Sequence, residues 1–355
     1  MLRLVDKVQG HEGICWHASW DASGELLASC GQDQIMKIWR VIESKLVCLS
    51  STSEEDTIHS RTIRRVAWRS DSKLIAACSF DSTITVWRVN DDWTLTYLTK
   101  IFGQESEVKG VCFSACGEML ATCSRDKSIW IFDVSGFLSS TLTNSVDVDC
   151  LAVLQGHSQD VKNVKFNPRN PSILISVSYD DSIKLWTDIG GDWELTDTLR
   201  SHTNTVWDIS FGPKSNEFAT VSADGTLKIW SSKPVFSRNH SYGPLSIASR
   251  ALNAPTVVSS TWSCLTRQIT TSQIANVPPA PVYAIDWDID GLILLGCGDN
   301  TIRLLQVNKW EIVPVSTIKT HSEPTSVAFL PGNSSIQAVS FDDGSIAIYC
   351  IDGPL

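Results

Sequence analysis

The chain has 355 residues, is 43% hydrophobic and carries a formal net charge of −10, with a pI near 5.2. That acidity argues against a binder of duplex nucleic acid or of an anionic membrane surface, while leaving room for a local basic patch. The leading MLRLVDKVQGHEG lacks the apolar core and small-residue cleavage site of a secretory leader, and no apolar run approaches the ~18–20 residues needed to cross a bilayer.

Taken in order, the chain repeats one unit seven times. Each opens on Gly-His, a lone His or its remnant, continues as V-x-x-V-x-F/W, and reaches S/T-x-x-x-D before an alternating strand that ends in Trp. GHEGICWHASW with LLASCGQDQIMKIW is the first unit, and HSRTIRRVAW with LIAACSFDSTITVW the second. GQESEVKGVCF with MLATCSRDKSIWIF follows, then GHSQDVKNVKF with ILISVSYDDSIKLW, and SHTNTVWDISF with EFATVSADGTLKIW. The sixth, APVYAIDW with LILLGCGDNTIRLL, is degenerate, and HSEPTSVAF with IQAVSFDDGSIAIY closes the series. An aspartate six residues before a large apolar residue marks every unit: Asp33/Trp39, Asp81/Trp87, Asp126/Phe132, Asp180/Trp186, Asp224/Trp230, Asp299/Leu305 and Asp343/Tyr349. Short segments at Trp93, Trp193 and Trp310 announce a fourth strand between units.

Four-stranded repeats of about 40–45 residues predict an all-β, seven-bladed WD-repeat β-propeller with four antiparallel strands per blade. Residues 1–355 then form a single domain. Too little chain follows Tyr349 for a full outer strand, so a strand at 2–8 is expected to complete blade seven and close the ring. Insertions are expected at Gly136–Asp149 and at about 231–280, the latter holding the outer strand of blade five.

His11, Ser29, Asp33 and Trp39, with His157, Ser176, Asp180, Trp186 and His202, Thr220, Asp224, Trp230, repeat one set of residue types in three blades. A repeated set reads as a buried hydrogen-bond network, in which Asp holds His and His spans to Ser and Trp. Catalysis needs one exposed nucleophile, so no catalytic residue is assigned and the chain is not expected to be an enzyme. Blades two, three, six and seven lack members (Ala77, Gln104, Phe132, Leu295, Leu305, Val339) and are expected to be softer. Eleven cysteines without common spacing, among them Cys30, Cys78, Cys112, Cys123 and Cys297 in apolar runs, suit reduced core thiols of a cytosolic or nuclear protein. Cys112, Cys116 and Cys123 lack metal-ligand spacing, so neither metal nor cofactor is expected.

The residue before each turn aspartate and the residue after the first V of V-x-x-V should face one end of the ring. The first set is Gln32, Phe80, Arg125, Tyr179, Ala223, Gly298 and Asp342; the second is Trp16, Arg64, Lys109, Lys162, Trp207, Tyr283 and Ser326. Arg64, Lys109 and Lys162 fall on consecutive blades and Arg125 joins them, flanked by Trp16, Phe80, Tyr179 and Trp207. Such a cluster suits an acidic-aromatic peptide or a free carboxylate, unless Glu107 and Asp160 neutralise it.

RTIRRVAW with AACSFDSTITVW, EVKGV with LATCSRDKSIWIF, and HSQDVKNVKF with SYDDSIKLWTDIGGDWEL resemble one family, the WD-repeat subunit of the cytosolic iron–sulfur protein assembly (CIA) targeting complex, in a fungal-type form. The resemblance is closest from Arg61 to Ser210, with SRDKS and SYDDS its most specific motifs. It implies a non-catalytic cytoplasmic or nuclear adaptor that docks apo-proteins for 4Fe–4S insertion. Its implied partners are a small subunit, a helical-repeat scaffold, a hydrogenase-like iron–sulfur protein and clients with acidic-aromatic C-terminal tails. It also assigns the functional arginine of the SRDKS turn to Arg125. The competing reading is another WD adaptor, a ubiquitin-ligase substrate receptor or a signalling scaffold; strand ends reading IWRV, VWRV and LWTD, rather than W-D-x-R, count against the ligase receptor.

Overall fold

The computed structural model describes residues 1–52, 58–138, 148–214, 216–234, 260–264, 269–270, 279–308 and 311–352. Among them, seven antiparallel sheets succeed one another around a ring. The innermost strands are Cys15–Trp20, Ile63–Trp68, Val108–Phe113, Val161–Asn167, Val206–Phe211, Val282–Trp287 and Pro324–Leu330. In blade one they are followed by Leu27–Gly31, Met36–Ile42 and Lys45–Ser51, and the other blades repeat that order. In blade seven the outermost place is taken by Leu2–Gln9, which pairs with Ser345–Ile351. The third strand of blade five, Thr226–Pro234, pairs with two short segments, Ser260–Cys264 and Ile269–Thr270. Most of the insertion expected at 231–280, residues 139–147 of the other insertion, and Trp310 lie outside the described residues.

Second strands such as LASCG and LIAACS are buried at every position, whereas the outer strand Lys45–Ser51 is largely exposed. The cause is stacking: a middle strand is covered on both faces by neighbouring blades, so alternation gives way to continuous apolar sequence. Each hydrophobic cluster accordingly lies between two blades. Leu74, Val86, Val108 and Leu120 join blades two and three; Cys112, Cys123, Val164 and Trp186 join three and four. Cys15, Leu27, Trp39, Ala338 and Ile348 join the last blade to the first, which makes closure part of the core.

Every turn aspartate is followed by a residue with positive φ: Gln34, Ser82, Lys127, Asp181, Gly225, Asn300 and Gly344. The carboxylate stabilises this bend by accepting the N–H two residues on, as Asp81 does from Thr83 (3.0 Å) and Asp180 from Ser182 (3.0 Å). Gly344 has no alternative, because a Cβ there would fall within 2.4 Å of the His11 and Gly13 carbonyl oxygens.

Candidate partner-binding site

A β-bulge interrupts the pairing of all seven innermost strands at the same point. The unpaired residues are Trp16, Arg64, Lys109, Lys162, Trp207, Tyr283 and Thr325. A bulged residue leaves the strand's alternation and is re-aimed, here toward the end of the ring that carries the aspartate turns. The expected Ser326 is the exception. Pro324 holds the place taken by Cys15, Ile63 or Val in the other units, so the equivalent bulged residue is Thr325, while Ser326 is buried and accepts the Ala18 N–H at 2.9 Å. A second repeated contact holds the turn residues over these bulges. The N–H groups of Gln32, Phe80, Arg125, Tyr179, Ala223, Gly298 and Asp342 donate to the carbonyls of Ile14, Thr62, Glu107, Asp160, Thr205, Pro281 and Glu323.

On blades two to four this scaffold brings the sequence-derived residues together. The Arg64 guanidinium stacks 4.8 Å from the Trp16 ring centre, and Trp16 meets Phe80 edge-on at 6.4 Å. Lys162 is shared between Tyr179 at 5.0 Å and Trp207 at 4.8 Å. Trp207 in turn packs edge-on against Tyr283 at 5.4 Å. The acids weighed as neutralisers are engaged: Asp160 accepts from Lys109 at 2.5 Å and lies 3.6 Å from Lys162. Glu107 binds Arg125 at 3.1 Å.

It also binds Arg61 at 3.0 Å, and Arg61 lies over Phe80 at 5.9 Å. Sequence reasoning missed Arg61, which precedes its strand by two residues; its adjacency to the strand that carries Arg64 was the available signal. Four cations therefore meet Glu107 and Asp160 at this mouth, and Arg64 adds a fifth charge beside them on Trp16. Blade seven carries the opposite sign, with Glu323 and Asp342 side by side.

Charge crowding shifts the side-chain pKa values at this mouth. Burial, then the Lys109 charge, brings Lys162 down to about 8, and burial with the adjacent Arg65 brings Arg64 down to about 10. Burial works against ionisation of Asp160 and Glu107 as well, yet the Lys109 bond on one and the Arg61 and Arg125 bonds on the other outweigh it and hold both below the usual carboxylate range. Arg64 Nη1 and Trp207 Nε1 are buried donors without a protein partner among the described residues. The site thus offers cations, aromatic walls and unspent donors, which is chemistry for an acidic or carboxylate-terminated ligand.

The His, Ser/Thr, Asp and Trp sets lie outside this end of the channel, between strands. In blade one, His11 Nδ1 donates to Asp33 (2.9 Å), while Ser29 Oγ meets both His11 Nε2 (2.7 Å) and the indole N–H of Trp39 (2.8 Å). The Ser oxygen, not the His ring, is therefore what reaches Trp. Blade four repeats this with His157, Asp180, Ser176 and Trp186, and blade five with His202, Asp224, Thr220 and Trp230. Burial outweighs the carboxylate's pull and keeps the His157 and His202 pKa values low, so the rings are neutral.

Two other blades meet the expected losses differently. In blade two Ala77 removes one hydroxyl, but Thr85 on the next strand replaces it, meeting His59 Nε2 and Trp87 Nε1 at 2.9 Å each. In blade seven Val339 does remove the hydroxyl, and Asp343 is met by Ser322 at 2.5 Å and by Lys7 of the closing strand at 3.2 Å in place of a His ring. Cys112 and Cys123, the cysteines weighed for a metal, sit in the core between blades three and four, and Cys116 is exposed.

A family model for the WD domain, G-beta repeat, matches residues 2–40, 51–88, 95–133, 148–187, 193–231 and 272–305. The chain is 35% identical over 310 residues to a probable cytosolic Fe-S cluster assembly factor of Schizosaccharomyces pombe, a match covering 87% of this chain and 46% of that protein. It is 31% identical over 312 residues to a probable cytosolic iron-sulfur protein assembly protein CIAO1 homolog of Ixodes scapularis, covering 86% and 83%. With a probable cytosolic iron-sulfur protein assembly protein 1 of Sclerotinia sclerotiorum it shares 29% identity over 238 residues, covering 61% and 49%. The chain spans about half the length of these fungal relatives. Repeat pattern and relatives agree, and the chain belongs to the WD-repeat family of cytosolic iron–sulfur protein assembly proteins.

Proposed function

We propose that this chain is a non-catalytic adaptor of cytosolic iron–sulfur assembly, acting in the cytosol and in the nucleus. It presents client apo-proteins for 4Fe–4S insertion, and the basic-aromatic end of the channel on blades two to four receives their acidic-aromatic C-terminal tails. A small subunit, a helical-repeat scaffold and a hydrogenase-like iron–sulfur protein complete its set of partners. One observation carries the reading. Three consecutive bulges hold Arg64, Lys109 and Lys162 at one mouth beneath Arg125 and Arg61, which is more positive charge than Glu107 and Asp160 neutralise. A tail carboxylate would take the place of an acid on the exposed Arg125 fork, and an aromatic side chain would lie against the neighbouring rings.

The test is fluorescence anisotropy of a labelled peptide ending in Leu-Asp-Trp with a free carboxylate. Saturable binding to the wild-type chain, reduced at least about tenfold by Arg125→Glu and weakened by salt, is the expected result. Equal binding by the folded variant would remove this end of the channel from client recognition.

A further inference from the structure

Below the bulges lies a cavity of about 340 Å³, lined by residues from the innermost strands of all seven blades. Its acids are already spent on the fold. Asp208 accepts from Arg65 (3.3 Å), from Asn163 Nδ2 (2.6 Å) and from the Ile285 N–H (3.2 Å), so it ties its own blade to blades two, four and six. Asp286 accepts from the Phe329 N–H (2.8 Å), the Trp287 N–H (3.1 Å) and Ser210 (3.1 Å). Asp21 caps its own turn through the Leu26 N–H at 2.9 Å.

The donors are only partly spent: Asp208 holds Arg65 Nη2, and Asp71 holds Arg69 Nε and Nη2, which leaves one buried N–H on each guanidinium. Arg65 Nε and Arg69 Nη1, on side chains 8% and 5% exposed, have no partner among the described residues, and neither does His17 Nδ1, a donor or an acceptor according to the tautomer. Lys165 lines the same cavity without a hydrogen bond or a close ion pair among the described residues, though its charge is felt by Asp286. Arg65 and Lys165 sit close enough to His17 that, added to its burial, their charges hold the imidazole neutral. Buried donors left over when every acceptor is satisfied favour an acceptor-rich, negatively charged guest.

We propose that this cavity binds a small multivalent oxyanion, a phosphate or carboxylate compound, between Lys165, Arg65 and Arg69. It is a site separate from the basic-aromatic mouth, which lies at the other end of the channel and does not use these residues. The guest is small because the cavity holds about 340 Å³, with Trp68, Phe113 and Phe166 among its walls.

The experiment titrates the full chain with pyrophosphate and, separately, with citrate by calorimetry, in chloride of matched ionic strength. Saturable one-to-one binding of either is expected, and the responding arm assigns the phosphate or the carboxylate class. Lys165→Met, which keeps the apolar stem, should weaken binding about tenfold or more, while Arg125→Glu should leave it unchanged. Absence of saturable binding of both probes, or loss on Arg125→Glu but not on Lys165→Met, overturns the proposal. Amide hydrogen exchange of the wild-type chain keeps the test independent of how the variant folds. Protection gained on adding the responding probe should centre on residues 17–21 and 163–167, and protection confined to the Arg125 turn counts against the site.

Discussion

The Lys162 ammonium lies 4.8 Å from the centre of the Trp207 ring, which belongs to the next blade. The side chain is 10% exposed and sits beside both Asp160 and the competing cation Lys109. Burial and Lys109 bring its pKa down to about 8 from a usual 10.5, so its charge changes in an accessible range. An anionic ligand at this mouth favours protonated Lys162. Affinity for a carboxylate-terminated peptide should therefore fall as pH rises through about 8, and Lys162→Met should flatten that limb. For folding the sign is opposite. Between about 8 and 10.5 the unfolded chain holds the proton that the folded chain has released, so this residue makes stability rise with pH across that window. Anisotropy titrations and urea melts at pH 7, 8, 9 and 10 check both slopes.

Ser29 and Thr85 occupy different strands yet do the same work, since each hydroxyl serves a buried His and a buried indole. Ser29→Ala or Thr85→Val leaves two buried polar groups unpaired and should cost about 2–4 kcal/mol. Thr122 occupies the matching place in blade three, but its hydroxyl is buried without a partner among the described residues. Thr122→Val should therefore be neutral within about 0.5 kcal/mol or stabilising. Equilibrium urea denaturation of the three variants separates the cases; equal losses in all three would mean that the networks contribute little.

These cases mark what could be read from the chain. The seven blades were legible because Asp turns, positive-φ residues and buried second strands leave local patterns in the sequence. The residues that sit at the bulges were picked out in six units, even where the motif opens on Cys15 or Ile63, and missed by one residue in the seventh, where Pro324 hides its start. The hydroxyl of Thr85 escaped because it crosses from one strand to its neighbour, which keeps the geometry while breaking the motif. Asp208 escaped for another reason: its partner Arg65 lies 143 positions away, across the channel, and no local spacing encodes a contact made only when the ring closes.

That contact gives a third expectation. Arg65 and Asp208 are each 8% exposed at the side chain, so neither charge can be left to water. Asp208→Ala strands a buried guanidinium and frees the Ile285 N–H, and should cost about 3–5 kcal/mol. Arg65→Met added to Asp208→Ala should recover part of that loss, because the orphaned charge goes with it. A double-mutant cycle by denaturation measures the coupling, and simple additivity would show that the pair does not interact energetically.

The last expectation concerns closure. Leu2–Gln9 covers the edge of Ser345–Ile351 through seven paired positions, and Lys7 reaches Asp343 at 3.2 Å. Lys7→Ala removes one half-exposed ion pair and should cost less than about 1 kcal/mol. Removing residues 1–9 is a different perturbation. It uncovers a full row of strand N–H and C=O groups, and it strips Val5 and Val8 from the cluster that joins blade seven to blade one. An open edge of that kind pairs with another chain, so the shortened protein should melt earlier and form concentration-dependent oligomers by light scattering. Adding a peptide of sequence MLRLVDKVQ in excess should reverse both effects, because it can occupy the vacated edge. A shortened chain that stays monomeric and melts like the intact one would mean that the interblade core alone holds the ring closed.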